Sequence, residues 1–97
     1  MGAAAPWGNS GTAPVAPSSL LVDVRNPDNG VLAGAIAIRN TGSTNNLQVS
    51  FDGGRVFVPT IVPGQSFSTR KTSLDVIYVR AIGDVTTFEF VAQDQYD

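Results

Sequence analysis

Catalysis in a protein usually needs a nucleophile, a general base or a metal ligand, and this sequence offers few of them. It contains no histidine and no cysteine, which excludes a conventional catalytic triad, a thiolate nucleophile and the usual zinc sites. One string, Ser68-Thr69-Arg70-Lys71, matches the S-x-x-K pattern of serine acyl-enzymes. That chemistry places the serine at the start of a helix, whereas here the string ends a predicted strand and the partner motifs are missing. We therefore predict no catalytic residue and no enzyme activity.

Carboxylates are the other candidates for chemistry, and the chain has eight of them. Two could in principle act together across a sheet, as in glycoside hydrolysis. They stand mostly beside glycine and asparagine in predicted turns, which is typical of solvated polar residues. Calcium held by Asp28 and Asn29, or by Asp52 and Asp84, would need about six to eight oxygen ligands. Neither loop is that dense in acids, so we expect no metal and no cofactor.

Aromatic side chains raise the possibility of carbohydrate binding, because small β-sandwiches can present them to sugars. The candidates are Trp7, Tyr78 and Tyr96. Tyr78 lies in a stretch rich in β-branched residues, where packing in the core explains it better. A concave site cannot be built from these three residues alone. A lectin-like module is therefore the alternative function and not the first hypothesis.

Composition points to a protein partner. Only 14% of the 97 residues are charged, against about 25% in an average soluble domain. A weakly charged surface can be covered by a neighbour with little desolvation of ions. The net charge of -2 provides no basic field for nucleic acid, and no apolar stretch approaches the roughly 20 residues that span a bilayer. We expect no nucleic acid, no membrane and no small-molecule ligand.

From residue 20 onward, apolar residues alternate with period two, and turn residues interrupt them at short intervals. This pattern predicts a small antiparallel β-sandwich or jelly roll over residues 19–97. The predicted strands are residues 20–25, 33–39, 47–52, 55–61, 65–70, 74–81 and 85–92.

Two turns in this region have specific signatures. Asp52-Gly53-Gly54 predicts a hairpin turn, because glycine reaches positive φ without a Cβ clash. Pro63-Gly64 fits the centre of a type II turn. Pro59 lacks an amide hydrogen, so we expect it at an edge or a bulge.

Residues 1–18 are uncharged, rich in alanine, glycine, proline and serine, and contain the only tryptophan. Such a segment buries too little apolar surface to order itself. We predict an extended N-terminal arm that docks on a neighbouring subunit, with Trp7 as its anchor. The predicted partner-binding residues are Pro6, Trp7, Pro14, Val15 and Pro17. In the alternative, the arm folds back on its own sandwich and Trp7 plugs one open end.

The stretch from residue 40 to residue 93 resembles small virion proteins of tailed bacteriophages. The matching features are the asparagine-rich loop NTGSTNN, the string LQVSFDGG, a Pro-Gly turn, and the strings IYVR and TTFE of the last two strands. This resemblance implies a β-sandwich subunit of a virion, assembled in the host cytoplasm. It implies a capsid decoration (cement) protein or a head–tail accessory subunit, partnered by the major capsid protein or other virion subunits, and a homo-oligomer. The family supplies no catalytic residues.

Overall fold

The computed structural model describes residues 6–94, and their side chains except those of residues 71 and 72. This part of the chain is built from β-strands. They are β1 (Trp7–Ala13), β2 (Leu20–Asp23), β3 (Ala33–Asn40), β4 (Asn46–Ser50), β5 (Thr60–Ile61), β6 (Ser66–Leu74), β7 (Val76–Ile82) and β8 (Thr86–Asp94). Over the same residues there is no helix of the length and hydrophobicity needed to cross a membrane.

The strands form two four-stranded sheets, in the orders β1-β8-β3-β6 and β2-β7-β4-β5. Every pair of neighbouring strands is antiparallel. One hydrophobic core takes buried residues from both sheets, so the sheets pack face to face. The predicted all-β sandwich is confirmed.

The core follows from the period-two alternation in the sequence. Along β8, Phe88, Phe90 and Ala92 are buried while Glu89 and Val91 between them are exposed. Ile38 of one sheet and Leu47 of the other are fully buried between the sheets. Burying such a side chain contributes about 1.5–3 kcal/mol. Because a strand turns successive side chains to opposite faces, this alternation fixes which face of each sheet is inside.

The predicted N-terminal arm is wrong for the residues that the structure describes. β1 pairs with β8 from Trp7↔Ala92 to Ala13↔Thr86, so residues 7–13 belong to the sandwich and not to a separate segment. The glycines suggested a flexible segment, but in the structure they allow β1 to fit beside β8. A Cβ on Gly11 would lie 3.1 Å from the Phe88 ring, so its absence leaves room for that ring beside β1. Residues 1–5 of the predicted arm lie outside the described residues.

After β1 the chain crosses from one sheet to the other. The Ala81 amide donates to the Pro14 carbonyl at 2.7 Å, and the Ala16 amide donates to the Ala81 carbonyl at 2.8 Å. Val15 thereby forms a parallel bridge with Ala81 of β7. The crossing ties the two sheets together along one side of the sandwich.

The predicted strand over residues 55–61 is mostly wrong. β5 covers only Thr60–Ile61, and residues 51–59 form an irregular loop. Pro59 lies just before β5, in keeping with its missing amide hydrogen. The Pro63-Gly64 turn is confirmed, since the Gln65 amide donates to the Val62 carbonyl at 3.1 Å and Gly64 has a φ of 82°.

Candidate functional site

The five residues predicted to bind a partner all contact or adjoin the chain's own sandwich. The Trp7 indole nitrogen donates to the Val24 carbonyl at 2.9 Å, and the ring packs against the core. Pro14 and Val15 are partly buried in the crossing segment, whereas Pro6 and Pro17 are exposed. The structure therefore has the alternative arrangement, in which the segment folds back. A role of these residues in binding a partner stays a prediction.

The candidates for catalysis and metal binding are not brought together. Ser68 and Arg70 lie in strand β6, so the S-x-x-K string lacks the helix start that the acyl-enzyme chemistry uses. Asp84 accepts from the neighbouring Val85 amide at 2.8 Å. Within residues 6–94 no three acidic side chains are close enough to hold a metal ion.

The aromatic candidates for sugar binding also have separate surroundings. Trp7 packs against the core next to β8. Tyr78 lies in β7, and a Cβ on Gly54 would meet its ring at 3.7 Å, so the loop over residues 51–59 covers the ring closely. Tyr96 lies outside the described residues. No shared aromatic platform is formed by the two rings that are described.

The sandwich has two lateral sides, each bordered by one edge strand from each sheet. The β1–β2 side carries β1, β2 and the crossing at residues 14–16. The β5–β6 side carries β5, β6 and the loop over residues 51–59. β5 is only two residues long and pairs with Leu47 and Gln48 of β4. The end of β4, at Val49 and Ser50, is therefore flanked by the loop and not by a strand.

A groove of about 500 Å³ opens on the β5–β6 side between the loop and β6. The Phe51 and Phe67 rings form part of its wall, with their centroids 6.1 Å apart. Its lining residues are mostly apolar. They are Phe51, Asp52, Val56, Val58, Pro59, Phe67 and Thr69.

Large apolar side chains are exposed beside this groove. Val58 is 62% exposed and Val56 is 54% exposed, and Val62 beyond β5 is exposed as well. Single exposed valines are ordinary, but a cluster next to an apolar groove is typical of a contact surface. The sequence did not predict this cluster, because the alternating pattern assigned the valines to a regular strand.

The loop that carries these valines is held by the side chains at its start. The buried Ser50 hydroxyl accepts from the Gly54 amide at 2.9 Å and donates to Asp52 Oδ1 at 2.8 Å. The same carboxylate oxygen accepts from the Arg55 and Val56 amides. These amides are thus paired with side chains and not with β4, which explains why the predicted hairpin does not form.

The carboxylate is correspondingly stabilised in its charged form. The hydrogen bond from the Val56 amide, followed by that from the Ser50 hydroxyl, holds the pKa of Asp52 below its ordinary value. At neutral pH the loop is therefore fixed by a fully ionised carboxylate.

Two further contacts fix the middle and the end of the loop. Arg80 places its guanidinium 3.9 Å from the centre of the Phe57 ring, and its Nε donates to Gln48 at 2.9 Å. At the other end, buried Asn40 of β3 donates its side-chain amide to the Ile61 carbonyl of β5 at 2.9 Å. These contacts hold the loop in one conformation, so the exposed valines have fixed positions.

The free edge of β6 borders the same groove. Among the described strands, β6 pairs with β3 alone, so one of its edges has backbone groups available to a further strand. Its register with β3 is regular from Ser66↔Arg39 to Arg70↔Ala35 and then shifts before Leu74↔Ala33. The regular part, residues 66–70, is the part suited to pairing.

Comparisons with known proteins leave the family open. No family model matches the chain, and no curated protein matches it. Among solved structures, a chain from work titled "Bacillus endospore appendages form a novel family of disulfide-linked pili" is similar, with 14% identity and a TM-score of 0.46. The match covers 93% of this chain and 88% of that one. The resemblance to virion proteins accordingly stays a prediction.

Proposed function

We propose that this protein is a non-enzymatic structural subunit of a larger assembly, in which a neighbouring subunit covers the β5–β6 side. The observation that carries the proposal is the 62% exposure of Val58 beside a groove walled by Phe51 and Phe67. A free strand edge runs along the same groove. An apolar groove next to an unpaired edge is suited to a protein strand, which supplies both backbone hydrogen bonds and side chains.

The energy available from such a contact is substantial. Taking a fully exposed valine side chain out of water contributes about 1.5–3 kcal/mol, and a half-exposed one contributes roughly half of that. Val56, Val58 and Val62 are three such side chains on one side. Only the surplus over the cost of association appears as affinity.

The specific form that we propose is a capsid decoration protein, with a head–tail accessory subunit as the second form. The resemblance of residues 40–93 to tailed-phage virion proteins supports it, as does the 14% charged content. The neighbour on this side would then be a virion subunit, either the major capsid protein or another copy of the chain. The anchor is the β5–β6 side, in place of the predicted arm.

The proposal can be tested in the cells that produce the protein and in the particles isolated from them. A tagged chain is expected to sediment with particles, and gold labelling in electron microscopy is expected to decorate them at regular positions. Val58→Arg should move the protein to the soluble fraction, since a neighbour would have to desolvate the arginine. Val85→Arg is the matched control, because Val85 is similarly exposed, at 50%, in the β7–β8 turn. A wild-type chain that stays soluble, or equal retention of both variants, contradicts the proposal.

A further inference from the structure

The edge strands on the two lateral sides of the sandwich run in directions that allow identical copies to join side by side. Within the sheet β1-β8-β3-β6 every neighbouring pair is antiparallel, so the outer strands β1 and β6 run in opposite directions. The same holds for β2 and β5 in the other sheet. A second copy placed alongside by translation therefore presents β1 antiparallel to β6, and both sheets continue without a change of pattern.

The registers of the three pairings show which residues would meet. Trp7 pairs with Ala92, Ala92 with Ile36, and Ile36 with Thr69. Trp7 and Thr69 thus lie at the same level on opposite edges. By the same reasoning Ser10 lies level with Ser66. The regular part of β6 therefore faces residues 7–10 of the next copy, where both strands carry small side chains on the outer face.

Both sides also expose large apolar residues. On the β1–β2 side Leu21 is 51% exposed and Leu20 is 38% exposed. On the β5–β6 side the corresponding residues are Val56 and Val58. Joining the two sides covers leucines with valines, along the line where the second sheet would continue from β5 to β2.

The charges on the two sides are of opposite sign. Around the end of β2, the carboxylates of Asp23 and Asp75 lie near the single guanidinium of Arg25. On the β5–β6 side the balance is reversed. Arg55 and Arg70 stand there with Asp52.

The charges on the two sides also lie near the same end of the strands. Arg70 lies one residue beyond Thr69, toward the end of the sheet where Trp7 reaches the Val24 carbonyl. That is the end at which the carboxylates of the neighbouring copy would lie. Pairing two β5–β6 sides about a two-fold axis would instead bring two net-positive surfaces together.

From the direction of the strands, the register, the apolar residues and the charges, we infer that copies of this chain associate head to tail. The β5–β6 side of one copy docks on the β1–β2 side of the next. The inference rests on the proposed structural role and adds the partner, a second copy of the chain. Such a heterologous contact closes into a ring or extends as a filament, according to the rotation between copies.

The test uses the purified full chain in sedimentation velocity experiments, with negative-stain electron microscopy. The wild type should form species larger than dimers. Val58→Arg damages only the β5–β6 side and Leu21→Arg only the β1–β2 side, so each variant alone should be monomeric, with association weakened at least about tenfold because a charge must be desolvated. An equimolar mixture of the two variants should form one-to-one dimers and nothing larger. Val85→Arg should assemble like the wild type.

Each other outcome overturns the inference. Leu21→Arg that dimerises on its own indicates a two-fold contact between β5–β6 sides. A wild-type chain that stays monomeric up to its solubility limit excludes self-association, while particle sedimentation in the producing cells would still uphold the proposed function. Circular dichroism checks that both variants are folded. Val56→Arg, at a site 54% exposed, replaces Val58→Arg if that variant is unfolded.

Discussion

The two lateral sides of the sandwich are closed by different means. On the β1–β2 side, the backbone covers the core, through β1, the crossing at residues 14–16 and the indole bond from Trp7 to the Val24 carbonyl. On the β5–β6 side, a strand of two residues and a loop held by Ser50 and Asp52 cover it. The first side covers the core with backbone and, among its described large apolar residues, exposes only the leucines of β2, whereas the second exposes Val56 and Val58 on its loop.

This difference separates the parts of the chain that maintain the fold from those that are available to a partner. A strand that pairs along its whole length adds backbone hydrogen bonds and excludes water from the core beneath it. A loop fixed by side chains keeps its shape without using its apolar residues, which remain free for contact. Substitutions in β1 and at the crossing should therefore lower stability, whereas substitutions of the exposed loop valines should mainly alter association.

Removal of β1 has the largest expected effect on this comparison. A chain lacking residues 1–13 exposes β8 as an edge and uncovers Phe88 and Phe90, and it loses Ala13 from the core. The loss should be several kcal/mol out of a total stability of about 5–15 kcal/mol. We expect an unfolded or barely folded domain in thermal unfolding followed by circular dichroism. A chain lacking only residues 1–5 is the control, and an unchanged midpoint for the longer deletion would make β1 dispensable.

Substitution of Asn40 should have the second largest effect, because its fully buried side chain holds β5 in place. Its side-chain amide donates to the Asn45 and Ile61 carbonyls, and its Oδ1 accepts from the Gly42 amide and the Thr86 hydroxyl. Asn40→Ala leaves these groups unpaired, at about 1–3 kcal/mol for each buried group. Urea unfolding should show a loss of roughly 3 kcal/mol or more. Asn29→Ala, at an exposed turn, is the control and should cost much less.

The sequence was sufficient for the strands that alternate cleanly. β4 and β8 each place apolar residues at every second position, and a chain of this kind has one way to bury them. The Pro63-Gly64 turn was predictable for a local reason, since glycine supplies the positive φ that the turn requires.

The two errors have the same physical origin, which is that distant contacts overrode local composition. Besides Trp7, β1 faces the core with Gly11 and Ala13, which give little hydrophobic signal, and the Phe88 ring opposite Gly11 explains why a glycine stands there. Val56 and Val58 have strong β propensity, yet the Asp52 carboxylate takes the Val56 amide that a strand would have used. The signal that was present is the Ser-x-Asp string at residues 50–52, which favours side-chain capping of a turn.

The groove was not predictable from the sequence for a related reason. It forms where residues 51–59 meet β6, and the two segments are brought together only by the topology. The residues assigned to partner binding were chosen from composition alone. They lie on the β1–β2 side, which is the side that head-to-tail association would cover.

A smaller effect is expected from Trp7→Phe on the β1–β2 side. The substitution keeps an aromatic ring against the core and removes the bond from the indole nitrogen to the Val24 carbonyl. The expected cost is about 1 kcal/mol in the free energy of unfolding. Chemical denaturation of both chains measures it. Trp7→Ala should cost more because it also removes the packing, and equal losses for the two variants would show that the hydrogen bond, and not the ring, matters.

The smallest effect should be confined to the β5–β6 side and should depend on pH. The hydrogen bonds to Asp52 lower its pKa in the folded chain from the ordinary value of 3.8, so their contribution is complete above the unfolded pKa and is lost as pH falls through the folded one. Because the carboxyl is exposed, the change should be local. As the pH falls below 3.8, the protection of the amides of residues 54–56, measured relative to their intrinsic exchange rates at each pH, should fall, while that of β1 should stay unchanged. Asp52→Asn should show the faster exchange already at neutral pH, while Asp84→Asn should not, and equal protection in all three chains would mean that the carboxylate does not hold the loop.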